Sequence, residues 1–147
     1  MINTLIKLFK RDLEKLKSEI DIFKDEKKLW ETTSEIKNSS GNLCLHLCGN
    51  LQHFIGAMLG NSGYVRNREA EFSTKNVAKT KLIGEIDQTT NIVNNTLSDL
   101  KEYKLNEIYP INVFGYEMKI GFFLVHLVTH LDYHLGQINY HRRLLDN

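Results

Sequence analysis

Three histidines near the end of the chain have the spacing of metal ligands. His126, His130 and His134 follow one another at intervals of four residues in an apolar, helix-like segment. Side chains four apart on a helix lie roughly 5 to 6 Å from one another, so two imidazoles can reach one ion held at about 2.0 to 2.1 Å. His126 and His134 are separated by a rise of about 12 Å, too far for both to bind the same ion. The segment therefore supplies two ligands at most.

A third histidine ligand has to come from another part of the fold. Of the six histidines, only His46 and His53 lie outside the last predicted helix. Their separation corresponds to a rise of about 10.5 Å, so only one of them should reach a metal held by the later pair. A single histidine on an apolar helix face is more often a hydrogen-bonded core residue, and that interpretation stays open. The spaced pair, with a histidine in another apolar helix, keeps a metal site as the competing hypothesis.

Length, charge and hydropathy restrict the class of protein. The 147 residues fit a single domain, residues 1–147, that is large enough to bury a core without disulfides. Lys and Arg total 19 against 18 for Asp and Glu, and the net charge of +1 makes nucleic acid a poor partner. The start of the chain lacks the pattern of a signal peptide, and the longest apolar run is too short to span a bilayer. We therefore expect a soluble, cytoplasmic protein with no membrane association.

Apolar periodicity predicts four long helices and no strand-rich region. Their expected extents are Asn3 to Trp30, residues 43 to 60 after a capping cluster at residues 39–42, residues 78 to about 104 after the capping candidates Ser73 and Thr74, and Glu117 to Leu145. Pro110 marks the loop before the last helix. Four amphipathic helices imply an all-α four-helix bundle with long connections between helices two and three and between helices three and four.

The interior of such a bundle is where ligands from facing helices can meet. The di-iron class of bundle uses Glu-x-x-His pairs, and none occurs in this chain. Three histidines instead resemble mononuclear zinc or nickel sites with an open position for water or substrate. Gln137 and Asn50 lie near the inward stripes and could orient a ligand or a histidine, although an ordinary interhelix hydrogen bond is the favoured interpretation of both.

Several short segments resemble the DinB-like superfamily of metal-binding four-helix bundles. The resemblance is carried by residues 42–51, NLCLHLCGNL, and by residues 130–137, HLDYHLGQ. It extends to residues 66–72, RNREAEF, and to residues 139–143, NYHRR, which look like an uncharacterised branch of that superfamily. The order and placement of these motifs cover nearly the whole chain.

The resemblance implies a divalent metal, zinc or nickel, held by His46, His130 and His134. It makes His126 a core histidine or one that supports a ligand, and it places His53 and His141 at a pocket wall or on the surface. The superfamily includes transferases and isomerases that use bacillithiol or mycothiol, so a low-molecular-weight thiol cofactor and a small-molecule substrate are implied, as is a homodimer. The charged segment Arg66 to Phe72 would be a solvated loop or an ion pair at the pocket rim.

Two classes of function remain open from the sequence. One is a metal-dependent enzyme, either a hydrolase or a thiol-dependent transferase. The other is a non-catalytic metal-binding or dimerising bundle of a stress response. An accessible pocket beside an open coordination position would favour the enzyme, whereas a closed and filled coordination sphere would favour the second class.

Overall fold

The protein is all-helical in the computed structural model, which describes residues 1–147. Its α-helices are α1 (Ile2–Asp21), α2 (Ser40–Leu51), α3 (Arg68–Ser73), α4 (Lys79–Asp99) and α5 (Ile120–Leu145). Helix α2 continues through a π-helical stretch, Gln52–Ala57, into a last turn at Met58–Gly60. Two 3₁₀ turns, Glu26–Trp30 and Glu102–Asn106, lie in the connections. The expected all-α class is confirmed.

The four long helices share one apolar core. Helices α1 and α2 each pack against both α4 and α5, and α3 packs on α2. The apolar stripe predicted for the first helix is fully buried; it consists of Leu5, Phe9, Leu13, Leu16, Ile20 and Phe23. In α4, Thr89 takes an apolar position of the stripe and satisfies its hydroxyl by accepting from Gln52 Nε2 and donating to the Glu85 carbonyl. None of the helices combines the length and apolar character needed to cross a bilayer.

The first helix is shorter than its apolar pattern indicated. It ends at Asp21, and the chain turns before the 3₁₀ turn at Glu26–Trp30 instead of continuing to Trp30. The backbone N–H groups of Lys24 and Asp25 donate to the carboxylate of Asp146, at 2.7 and 3.2 Å, and so do not extend the helical ladder. A contact with the far end of the chain therefore ends this helix.

Two other helix starts differ from expectation. Ser73 and Thr74 end the unpredicted α3, and α4 begins only at Lys79. Helix α5 begins at Ile120 and not at Glu117, because Ile108 and Lys119 form an isolated antiparallel bridge and the backbone leading into the helix is extended. The capping cluster before α2 is confirmed, since Ser39 Oγ accepts from the backbone N–H of Asn42 at 3.2 Å.

Candidate metal centre

His46 of α2 meets His130 and His134 of α5 in the interior between the two helices. One ring nitrogen from each histidine lies within 4.8 Å of those of the other two. The Nε2 atoms of His46 and His130 are 3.2 Å apart, close to the roughly 3.3 Å that separates two nitrogens bound to one tetrahedral ion at 2.0 to 2.1 Å. No Asp, Glu or Cys joins this group. The structure brings together the three histidines that the resemblance implied as ligands.

In His46 and His134, the Nδ1 atom makes a hydrogen bond outside the group, and this leaves the lone pair of Nε2 facing inward. Nδ1 of His46 contacts the carboxylate of Glu71 at 3.0 Å, and Nδ1 of His134 contacts Oε1 of Gln137 at 2.7 Å. Both partners accept hydrogen bonds, so each Nδ1 carries the proton and each Nε2 presents its lone pair. This is the tautomer that metal-binding histidines adopt when a carboxylate or carbonyl holds the outer N–H. The donor set therefore fits a divalent ion.

Burial keeps His130 and His134 neutral. Desolvation, reinforced by the neighbouring charges of His134, His46, His126 and Arg66, lowers the pKa of His130 to about 3. Desolvation also lowers the pKa of His134, although its hydrogen bond to Gln137 opposes that effect. Neutral imidazole is the form that binds metal, so protons compete little for these two rings near pH 7.

Glu71 supports His46 and is itself held by Arg66. Arg66 donates to both oxygens of the Glu71 carboxylate, from Nη2 at 2.8 Å and from Nε at 2.9 Å. Burial of Glu71 opposes its charge, but the hydrogen bonds from His46 and Arg66 outweigh burial and hold the pKa of Glu71 below its ordinary value. The result is a buried chain of contacts from Arg66 through Glu71 to His46, of the kind that orients a metal ligand.

Two features of α2 bring Glu71 to this position. The side-chain amide of Asn42 is buried and donates to the carbonyls of Glu71 and Thr74, at 3.0 and 2.7 Å, which fixes the end of α3 against α2. Gly49 faces the carboxylate, and a Cβ atom at this position would collide with Glu71. The glycine is therefore required by a close approach between α2 and α3.

The remaining histidines lie outside this group. His126 stacks between Phe123 and His130, with ring centroids at 5.8 and 6.2 Å. His53 packs edge-on against Phe54. His141 is buried and lines a cavity beside His134. The position of His141 matches the pocket-wall place that the resemblance implied for it, whereas the roles implied for His53 and His126 stay predictions.

Sequence reasoning left the partners of the ligands undecided. The segment Arg66 to Phe72 contains two acids, and nothing in its local pattern distinguishes buried Glu71 from exposed Glu69. Gln137 was expected to make an ordinary interhelix hydrogen bond, but it contacts His134 within its own helix. The signal that could have identified Gln137 is its spacing of three residues from His134, which places both on one face. Asn50 is buried, and its Oδ1 has no hydrogen-bond partner.

A cavity of about 720 Å³ adjoins His134, the one member of the three-histidine group that lines it. It lies between the second half of α5 and the segment 35–38 that precedes α2, and His134 and Gln137 form part of its wall. Its volume is within the range of sites for small organic molecules. The candidate metal centre thus borders a space large enough for a substrate.

Comparison with known proteins places the chain in a family. Its sequence matches, over residues 1–147, the family described as "Protein of unknown function (DUF1572)". A search of curated proteins finds no match. Since the family match covers the whole chain, the protein belongs to the DUF1572 family.

Proposed function

We propose that the protein is a metal-dependent enzyme of the DinB-like four-helix-bundle class, acting as a hydrolase or a thiol-dependent transferase in the cytoplasm. His46, His130 and His134 would hold one zinc or nickel ion. The observation that carries the proposal is the convergence of three imidazoles, with no protein carboxylate or thiol as a fourth ligand. Three protein ligands and an open position are typical of catalytic zinc, whereas structural zinc sites are closed by four.

Each part of the site has a distinct task in this proposal. A divalent ion held by the three histidines would supply Lewis acidity, lowering the pKa of a water or thiol bound at its open position. Glu71 keeps the proton of His46 on Nδ1, and Gln137 does the same for His134. Arg66 neutralises Glu71 and holds both of its carboxylate oxygens. The cavity beside His134 would hold the body of the substrate.

A low-molecular-weight thiol fits the same arrangement as a cofactor. The chain's own cysteines, Cys44 and Cys48, are buried and free, and the hydrogen bond to Cys48 together with burial raises the pKa of Cys44. A thiol with a raised pKa is a weak nucleophile at neutral pH. A thiol transferase of this kind would therefore take its thiolate from a small molecule and not from its own side chains.

Metal content tests the proposal first. We expect the untagged protein, purified without added metal, to contain about one zinc or nickel ion per chain by plasma mass spectrometry. His130→Ala should remove most of that metal because it deletes a ligand. His53→Ala is the matched control, since it deletes a histidine outside the group. Equal loss from both variants would contradict the ligand assignment.

Turnover tests the enzymatic half of the proposal. The metal-loaded protein should hydrolyse an activated ester such as p-nitrophenyl acetate, or accelerate alkylation of bacillithiol by monobromobimane, and His130→Ala should abolish the effect. A protein that holds its metal but is inactive toward both substrates would instead be assigned to the alternative class, a non-catalytic metal-binding bundle.

A further inference from the structure

His141 is a buried polar side chain with no partner in the protein. It is 4 % exposed, and it lies seven residues beyond His134 on the face of α5 that borders the cavity. Neither ring nitrogen makes a hydrogen bond to the protein, and Nε2 is inaccessible to solvent. Desolvation lowers the pKa of His141, so the ring is neutral and has one donor and one acceptor to satisfy. Nδ1 is not closed off in this way, so it is the nitrogen that a molecule in the cavity can reach and pair with.

The rest of the cavity wall is mainly apolar and carries little net charge. Leu43, Tyr140 and Leu144 provide hydrocarbon and aromatic surface, and Tyr140 and Leu144 are largely exposed. The charged residues at its edge, Glu35 and Lys37, are of opposite sign. Such a wall suits an uncharged molecule with a flat or branched apolar body, because an ionic ligand would lose water without finding an opposite charge inside.

We propose that this cavity binds an uncharged, mainly aromatic small molecule whose hydroxyl or carbonyl group pairs with His141 while its body extends along α5 toward His134. The inference rests on the proposed function in one respect, that the molecule is the substrate of the metal centre. The cavity and the unpaired histidine belong to the chain alone, so binding itself can be tested without metal.

Gly136 allows the cavity to be blocked without disturbing the core. This glycine lies on the wall, and a Cβ atom there would meet nothing within 4 Å. The same is true of Gly84 in α4, which lies away from the cavity. The substitutions Gly136→Phe and Gly84→Phe therefore make a matched pair, in which only the first places a ring beside the proposed ligand.

The experiment measures binding of 2-naphthol and naphthalene to chelator-treated protein by fluorescence. We expect 2-naphthol to bind, Gly136→Phe to weaken it by about tenfold or more through steric conflict, and Gly84→Phe to leave it unchanged. We further expect wild type to bind 2-naphthol roughly fivefold more tightly than naphthalene, a difference in affinity that corresponds to one hydrogen bond. His141→Leu should abolish that preference, His141→Gln should restore part of it, and His53→Leu should not affect it.

Three results would overturn the inference. The wild type would fail to bind 2-naphthol, the two glycine variants would bind it equally, or the preference for 2-naphthol would survive in His141→Leu. Thermal melts of each variant identify any that fail to fold, and the His141→Gln rescue keeps the test decisive if His141→Leu is one of them. Metal analysis of the same samples separates the two proposals. Binding of 2-naphthol by a protein that never takes up metal would contradict the proposed function and leave the cavity site standing.

Discussion

At the scale of single residues, the chemistry depends on how each histidine is oriented as much as on which histidines are present. His46 and His134 each have their outer nitrogen held by an acceptor, whereas Nδ1 of His130 is buried without a partner. Orientation by Glu71 should therefore matter most for His46, the only member of the three-histidine group that comes from α2. A ligand fixed in its productive tautomer loses less freedom when the ion arrives.

We predict that Glu71→Gln weakens metal affinity by about 10- to 100-fold, because the amide cannot hold the proton of His46 on Nδ1 as firmly as a carboxylate does. Competition with a chromophoric chelator measures the change. Glu69 is exposed and lies two residues away, so Glu69→Gln is the control and should leave metal affinity unaltered. The same affinity in Glu71→Gln as in wild type would refute the supporting role of this carboxylate.

At the scale of helices, the approach of α3 to α2 decides where Glu71 lies. We predict that Gly49→Ala destabilises the fold by about 1 to 3 kcal/mol, since its methyl group collides with the carboxylate. Gly84→Ala should have the opposite sign and stabilise by roughly 0.5 to 1 kcal/mol, because its methyl enters open space and alanine favours a helix. Urea unfolding of both variants measures the free energies. A stabilising effect of Gly49→Ala would mean that α3 does not press on α2 as described.

The end of α5 and the end of α1 are joined through Asp146. Burial opposes the charge of Asp146, but hydrogen bonds from the backbone N–H groups of Lys24 and Asp25 outweigh it and lower its pKa. A carboxylate with a lowered folded-state pKa stabilises the fold above its unfolded-state pKa of about 4 and loses that contribution as the pH falls through the folded-state value.

We therefore predict that Asp146→Asn reduces stability by about 1 kcal/mol at pH 7, and that the difference from wild type shrinks below about pH 4. Chemical unfolding at a series of pH values measures it. Asp99→Asn, an exposed aspartate that makes no ion pair, is the control and should show no such trend. A difference that is constant down to pH 2 would show that the charge of Asp146 contributes nothing.

At the scale of the whole molecule, homodimerisation remains a prediction that the resemblance implies. Large apolar side chains, among them Tyr116, Phe122 and Val125, are exposed around the start of α5. Exposed apolar surface of this kind is typical of protein contact sites. If a second copy covers it, Phe122→Glu should convert a dimer to a monomer by light scattering after gel filtration, whereas Lys119→Glu should not. A wild-type monomer at high micromolar concentration would contradict the prediction.

The sequence by itself determined the helical class, the buried stripes and the spaced histidines, because these follow from local periodicity along one helix. It left open from geometry whether His46 or His53 meets the pair on α5, and only the likeness to a known superfamily chose His46. The tertiary structure alone decided that Glu71 and not Glu69 supports His46, that α1 ends at Asp21, and that His141 faces a cavity. Each of these features depends on contacts between segments far apart in the chain, and a local sequence pattern does not indicate such contacts.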